Sequence, residues 1–378
     1  MKKTLVALSV LAAAANVNAA EIYSTDASKV SLSGEVDAYV ATTDIEKQSA
    51  KDSSKAGVTR TETDPSVMVW GKIQIDAEHK VSDTLTSFAS FEIESQTGFD
   101  SADTDNNAKF DDLYVGVKTD TWGVAIGEVG DLAASTDAIE KGDITNEGQF
   151  FGSAGGHRSE SEGHGIVFKA ELTDGLVFVA DANTEASEDL DNTYGASLDW
   201  AINDMFSVGA SLVNGEAAKD IDYQVGGVSA SVTLGGFFFA ATYSQFEGVN
   251  SFGLFGDKTK RTVTSTTDTE ITKEVEDNYA YTDGDAYGIA AQYTIDKTRL
   301  YATYDVMSLD EQQNAGAANT DAKGDVTNLV LGVEYSLLDN VTIFTEYQTA
   351  ETSNDFTGAH GGKGLDADTF VLGTYYTF

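Results

Sequence analysis

The chain has no cysteine, and Pro65 is the single proline in 378 residues. Without disulfides, a chain of this size takes its stability from extensive backbone pairing or from a large core. With one proline, nearly every residue keeps an N–H to donate to a β ladder. Bases are scarce: 23 Lys and Arg stand against 62 Asp and Glu, a net charge of −39. Phosphate binding needs a basic face, so nucleic acid is excluded as a partner. There are four histidines, which leaves little material for histidine-based catalysis. No apolar run of about eighteen residues occurs after the first twenty positions, so no helix is long enough to cross a membrane.

What is present begins with an export signal. Lys2-Lys3, the apolar stretch Leu5 to Ala15 and the small-residue site Val17-Asn18-Ala19 mark residues 1–19 as a cleavable secretory peptide. The mature chain, 20–378, then starts at Ala20-Glu21-Ile22-Tyr23 and carries 21 bases against 62 acids, or −41. Such a charge would suit a disordered chain, but 41% apolar and 10% aromatic residues in alternating runs do not. An exported chain with neither a spanning helix nor cysteine points to the Gram-negative envelope.

The mature sequence repeats segments of about ten residues with period-two alternation, as transmembrane β-strands do. Val30, Leu32, Val36, Ala38 and Val40 alternate with Ser31, Ser33, Glu35 and Asp37; Val67, Val69, Ile73 and Ile75 alternate with Met68, Lys72, Gln74 and Asp76. Carried to Phe378, the pattern gives sixteen strands, enough to leave an aqueous lumen. Short turns such as Gly235-Gly236, Asp296-Lys297 and Asp339-Asn340 alternate with long polar connections at 42–64, 246–284, 308–325 and 349–367. Rings near strand ends (Tyr39, Trp70, Trp122, Trp200, Phe206, Tyr243, Tyr293, Tyr335, Tyr347, Tyr376 and Phe378) suggest aromatic girdles at the two membrane interfaces. The fold expected is therefore all-β: a 16-stranded antiparallel transmembrane β-barrel. Between the fifth and sixth strands lies Gly127 to Gly165, too long for an idle connection in a compact domain. We expect it to fold inward and narrow the lumen. Arg261 to Glu274 has the makings of an extra outer hairpin.

At this point the sequence resembles the general diffusion porins of the Gram-negative outer membrane. The resemblance is carried by Ala20-Glu21-Ile22-Tyr23, Asp174-Gly175-Leu176, Tyr243-Ser244-Gln245, Ala291-Gln292-Tyr293 and the terminal run Phe370 to Phe378. It implies a homotrimer in the outer membrane, in contact with its lipid and lipopolysaccharide, passing small hydrophilic solutes and ions without catalysis or cofactor. Two departures stand out. The family's Pro-Glu-Phe-Gly-Gly turn is replaced by Glu147-Gly148-Gln149-Phe150-Phe151-Gly152, and Glu128 follows Gly127 where enterobacterial members carry an arginine.

Selectivity in such a channel comes from fixed charges in a narrow wet passage. The loop offers Glu128, Asp131, Asp137, Glu140, Asp143 and Glu147; Lys72, Lys118, Lys169 and Arg299 occupy the polar parity of strands facing it. Acids on the loop and bases on the wall would set up a transverse field, and the excess of acid predicts a preference for cations. An oligosaccharide-selective channel is the alternative, if Phe150, Phe151, Tyr114 and Tyr375 stack along the lumen. A barrel enzyme would need a hydroxyl, a histidine and an acid meeting on one rim, which no strand face supplies. Asp103 to Asn107 begins like a calcium loop, but Ala108 and Tyr114 occupy its glycine and glutamate positions. His157 and His164, with Glu160 and Glu162 between them, lack a ligand spacing. No metal site is expected.

Overall fold

In a computed structural model of the chain, the structure describes residues 19–48, 58–95, 108–130, 132–154, 165–184, 190–255, 260–263, 273–276, 280–358 and 364–378. Sixteen strands make the barrel. They are β1 (Ser28–Gln48), β2 (Ser66–Lys80), β3 (Thr86–Ser95), β4 (Ala108–Lys118), β5 (Trp122–Gly127), β6 (Gly165–Thr173), β7 (Leu176–Asn183) and β8 (Thr193–Ala201). The second half is β9 (Phe206–Ala218), β10 (Ile221–Leu234), β11 (Phe237–Val249), β12 (Thr282–Ile295), β13 (Thr298–Gln312), β14 (Asp325–Leu338), β15 (Val341–Thr352) and β16 (Asp366–Thr377). Each pairs antiparallel with the next, and β16 pairs back onto β1 with Tyr39 opposite Gly373. The barrel is closed, so no long edge strand is left bare. Where β16 ends, Gly34 and Phe378 exchange backbone hydrogen bonds of 2.9 Å each, and Ala20–Ser24 takes over along the lower half of β1. No helix of the described residues is long and apolar enough to cross a membrane.

The two faces of the barrel wall are inverted relative to a water-soluble protein. Val67 is 75% exposed on the outside, and Ile73, Val115 and Ile289 are each more than half exposed, while Gln74, Asp76 and Glu92 on the other parity are buried. Large apolar side chains in that position face hydrocarbon, and the alternation read in the sequence is this inside-outside division. The predicted girdle also forms outside, at Trp122, Trp200, Phe206, Tyr243, Tyr335, Tyr347 and Tyr376. Tyr39 and Trp70 correct it. They lie on the lumenal parity, where Tyr39 is 5% exposed and packs edge-on against Phe344 and Tyr375.

Strands extend further than their apolar alternation. β1 runs on to Gln48, and β9 and β10 form one long hairpin closed by Lys219-Asp220, with Asp220 in the left-handed region (φ 59°). Pairing needs only a neighbour, whereas alternation needs lipid, so ladders continue above the membrane in polar sequence. Lys260–Val263 pairs with Lys273–Glu276 as a separate small sheet, in line with the expected outer hairpin. At the outer end a cluster of Phe246, Phe252, Phe255, Met307, Leu309 and Phe356 is buried between connections and the lumenal wall. Residues 1–18, the calcium-like stretch 103–107 and the pair His157 and His164 lie outside the described residues.

Candidate functional site: the loop between strands β5 and β6

The loop leaves the wall at Gly127, whose φ of 131° is closed to other residues, and whose absent Cβ would stand 2.2 Å from the Leu113 carbonyl. The Glu128 N–H donates to that same carbonyl at 3.0 Å, which ends the β5 ladder and turns the chain. A short 3-10 helix follows at Ser135–Ile139. The Asp137 carboxylate accepts from the Ala134 N–H at 3.0 Å and caps its start.

From there the segment is tied, strand by strand, to the lumenal face. The Ser135 backbone N–H and hydroxyl donate to Asp181 on β7, the latter at 3.1 Å. The Ser229 hydroxyl on β10 donates to the Ala138 carbonyl at 2.6 Å, and Thr242 on β11 donates to the Ile139 carbonyl at 2.9 Å. Gly209 on β9 permits this approach, since a Cβ there would lie 1.8 Å from the Ala138 oxygen. Lys141 reaches Asp199 on β8 at 2.6 Å. Further on, Asn328 on β14 donates to the Gln149 carbonyl at 2.8 Å, and Ser244 on β11 donates to the Gly152 carbonyl at 3.0 Å.

The tip, 144–148, is held by charge. Glu346 on β15, 2% exposed, accepts from the backbone N–H groups of Asn146, Glu147 and Gly148 at 2.6, 2.7 and 2.7 Å, and from the Tyr301 hydroxyl at 2.6 Å. Arg299 on β13 donates to the Ile144 carbonyl and to the Asn146 side chain, each at 2.6 Å. Its Nε is 3.1 Å from Glu334, and its plane lies over Tyr301 at 4.1 Å. Charge-assisted hydrogen bonds of this kind are about twice as strong as neutral ones.

The predicted acids divide accordingly. Asp137 and Asp143 are exposed on the loop surface, and Glu128 is half-buried at its root. Glu147 accepts from the Tyr375 hydroxyl at 2.7 Å. Glu140 is half-buried, and desolvation, then Asp137 and Asp143, push its carboxyl up to about 7. Asp131 lies outside the described residues.

The predicted bases do not stand alone on a facing wall. Lys72 meets Glu92 at 3.2 Å and lies 5.7 Å over Trp70; Lys118 meets Glu78 at 2.6 Å beside the Thr119 turn. Lys169 lies in the field of Asp137 and Asp199. Arg299 is bonded to the loop itself, at Ile144 and Asn146. The strand acids Glu346, Asp181 and Asp305, the last accepting from Asn328 at 2.7 Å, were missed in the sequence. Their signal was a carboxylate at lumenal parity in mid-strand, the same signal that picked out the lysines.

Closure in sixteen strands, an apolar outside and a polar inside crossed by a tethered loop make a water-filled passage through a membrane. The sequence profile of the Gram-negative porin family matches residues 7–355. The chain belongs to the Gram-negative porins. A porin-like protein H of Photobacterium profundum is 24% identical over 373 residues, which is 96% of this chain and 98% of that protein. Among solved structures, Salmonella typhi OmpF in complex with daunomycin superposes with a TM-score of 0.64 at 16% identity, over 95% of this chain and all of that one. OmpT of Vibrio cholerae gives 0.60 at 19% identity over 95% of this chain and all of that one. An anion-selective porin from Comamonas acidovorans gives 0.59 at 12% identity over 93% of this chain and all of that one. This porin is thus an outer-membrane channel for passive diffusion. The fold is shared by an anion-selective porin, so the sign of its selectivity has to be argued from its own charges.

Proposed function

We propose that this porin is a general diffusion channel with a preference for cations, and that the Gly127–Gly165 loop forms its constriction. The observation that carries the reading is the asymmetry of pairing among the lumenal charges. Lys72, Lys118, Lys141 and Arg299 each have a carboxylate against them, whereas Asp143 on the loop accepts from the Thr145 hydroxyl and Glu346 from backbone N–H groups and the Tyr301 hydroxyl. Neutralised bases contribute little field, and the remaining acids raise the local cation concentration. The oligosaccharide reading has less support: Tyr114 and Phe151 are buried, so they offer no stacking surface to a passing sugar. Reversal potentials across a KCl gradient in a planar bilayer test the proposal, and a preference for chloride would overturn it. Changing Glu128 to arginine should shift the potential toward chloride.

The assembly we propose is a homotrimer, exported by cleavage after Ala19. Outward residues of β2 and β4 are mostly aliphatic, as at Val67, Val69, Ile73, Leu113 and Val115, with Phe110 a ring among them, whereas β11 to β15 carry Tyr243, Tyr287, Tyr304, Tyr335 and Tyr347. Amphipathic rings belong where lipid meets water, and an aliphatic face without tyrosine suits contact with another barrel. An unheated band at three times the monomer mass, lost on changing Val115 to lysine, is the expected result.

A further inference from the structure

Two lumenal glycines lie directly behind the loop, Gly209 on β9 and Gly288 on β12, each inside its strand. Between them, Ser229 on β10 and Thr242 and Ser244 on β11 donate to the loop carbonyls of Ala138, Ile139 and Gly152. Neither glycine is in the left-handed region, so neither is required by its own backbone. Glycine weakens a strand interior, and one use of it there is to admit another backbone closely. A Cβ on Gly209 would overlap the Ala138 oxygen. One on Gly288 would stand 2.6 Å from the Phe150 ring and 2.8 Å from Asp305 Oδ1. The same ring lies against the loop's own Gly142 and Gly152, and a Cβ on Gly152 would be 2.9 Å from the Gly288 nitrogen. The loop is thus seated in the wall at two places where the wall has no side chain.

We propose that Gly209 and Gly288 determine the size selectivity of the channel, by letting the loop lie back in the wall and so setting the width of the passage. The ladders fix the strands behind the loop, so a side chain at either position moves the tethered segment away from the wall and into the lumen. At Gly209 the displaced group is a backbone carbonyl, which must retreat by about 1.5 Å to reach ordinary contact and cannot be trimmed by substitution. At Gly288 it is mainly a ring, which can be. The two seats therefore differ in how their effect can be undone.

The proposal rests on the reading of the loop as the constriction, and the test separates the two. The full-length porin is recorded in planar bilayers with polyethylene glycols of increasing size, and the smallest glycol that leaves the conductance unchanged marks the width. Gly209→Ala and Gly288→Ala should each lower that cut-off and bring the conductance to roughly half, with quiet open states. In a Phe150→Ala background, Gly288→Ala should have little effect, whereas Gly209→Ala should narrow the passage as it does in the wild type. The Gly288 series decides the matter if Gly209→Ala fails to insert. Asp143→Trp, a bulky change on the exposed loop surface, reports on the constriction itself. If it lowers the cut-off while neither glycine variant does, the seats do not set the width and the constriction stands. Wider, noisy channels in both glycine variants would mean that the loop has left the wall, which overturns the proposal as well. If Asp143→Trp leaves the cut-off unchanged, the loop is not the constriction and both fall.

Discussion

One loop is held in two different ways. Its 3-10 segment is tied to Asp181 at its start and then hangs from the wall by neutral hydroxyls, Ser229 and Thr242, which meet the carbonyls of Ala138 and Ile139. Its tip is gripped by ions: Glu346 gathers three backbone N–H groups, and Arg299 takes a carbonyl and a side-chain oxygen. The difference lies in what happens when a partner is lost. A carbonyl deprived of a hydroxyl is one neutral acceptor left short, in a segment that other bonds still hold. A buried carboxylate site emptied of its charge leaves three N–H groups with no acceptor, at about 1–3 kcal/mol each. The tip is therefore the part of the loop whose position is set by single residues, and the 3-10 segment is set by many weak contacts.

The largest effect is expected at Glu346. Changing it to alanine should weaken docking of the tip by about 3–5 kcal/mol, the range for breaking a buried charged network. Single-channel recordings should then show higher conductance with open-state noise, and protease should cut between 144 and 149. Quiet, wild-type currents would contradict the assignment of the tip to this residue. Arg299→Met comes next, at about 2–3 kcal/mol, because it removes charge-assisted bonds to Ile144 and Asn146 but leaves Glu346 in place. Since Glu334 offsets the guanidinium, this change also unmasks that carboxylate, and it should add noise and shift the reversal potential further toward cations. A shift toward chloride would contradict the pairing of Arg299 with Glu334.

A third effect comes from pH. Glu140 has its carboxyl raised to about 7 from an ordinary 4.5, first by burial and then by Asp137 and Asp143. The folded state therefore binds an extra proton between about 4.5 and 7, so docking is firmer toward acid and loosens as pH rises through 7. Over the same interval the loop gains one negative charge, and cation preference should grow. Glu140→Gln should flatten the dependence of the permeability ratio on pH between about 6 and 8. An unchanged slope would assign the titration elsewhere.

Much of this fold could be read from the sequence, because a strand between lipid and water must alternate, and the alternation of Val36 with Asp37 or Val115 with Tyr114 states which side is which. Alternation reports the face but not the height or the partner. An inward arginine looks the same whether it borders the pore or supports a loop, so the alternation of β13 does not show that Arg299 is bonded to Ile144 and Asn146. Tyr39 and Trp70 stand near strand ends by count, yet their parity turns them inward. The join of β9 to β10 at Lys219-Asp220 had no apolar signal, since that hairpin extends above the lipid. Glu346 was visible as a mid-strand acid, but its role depends on a loop about 200 residues away in the chain.

The smallest effect expected is at the hydroxyls, and it tests the comparison most directly. Thr242→Val keeps volume close and removes one bond of 2.9 Å to the Ile139 carbonyl, and Ser229→Ala removes one of 2.6 Å to Ala138. Each should cost about 0.5–1.5 kcal/mol, the net worth of a neutral hydrogen bond. Asp181, Lys141 and the close seat at Gly209 still hold the segment. Conductance should stay near wild type in either variant and change only slightly when both are combined. If Thr242→Val alone opened the channel as far as Glu346→Ala, the 3-10 segment would be as singly determined as the tip. Neutral and charged anchoring would then be equivalent in this lumen, and the explanation for two kinds of tether would have to be sought in selectivity rather than in holding strength.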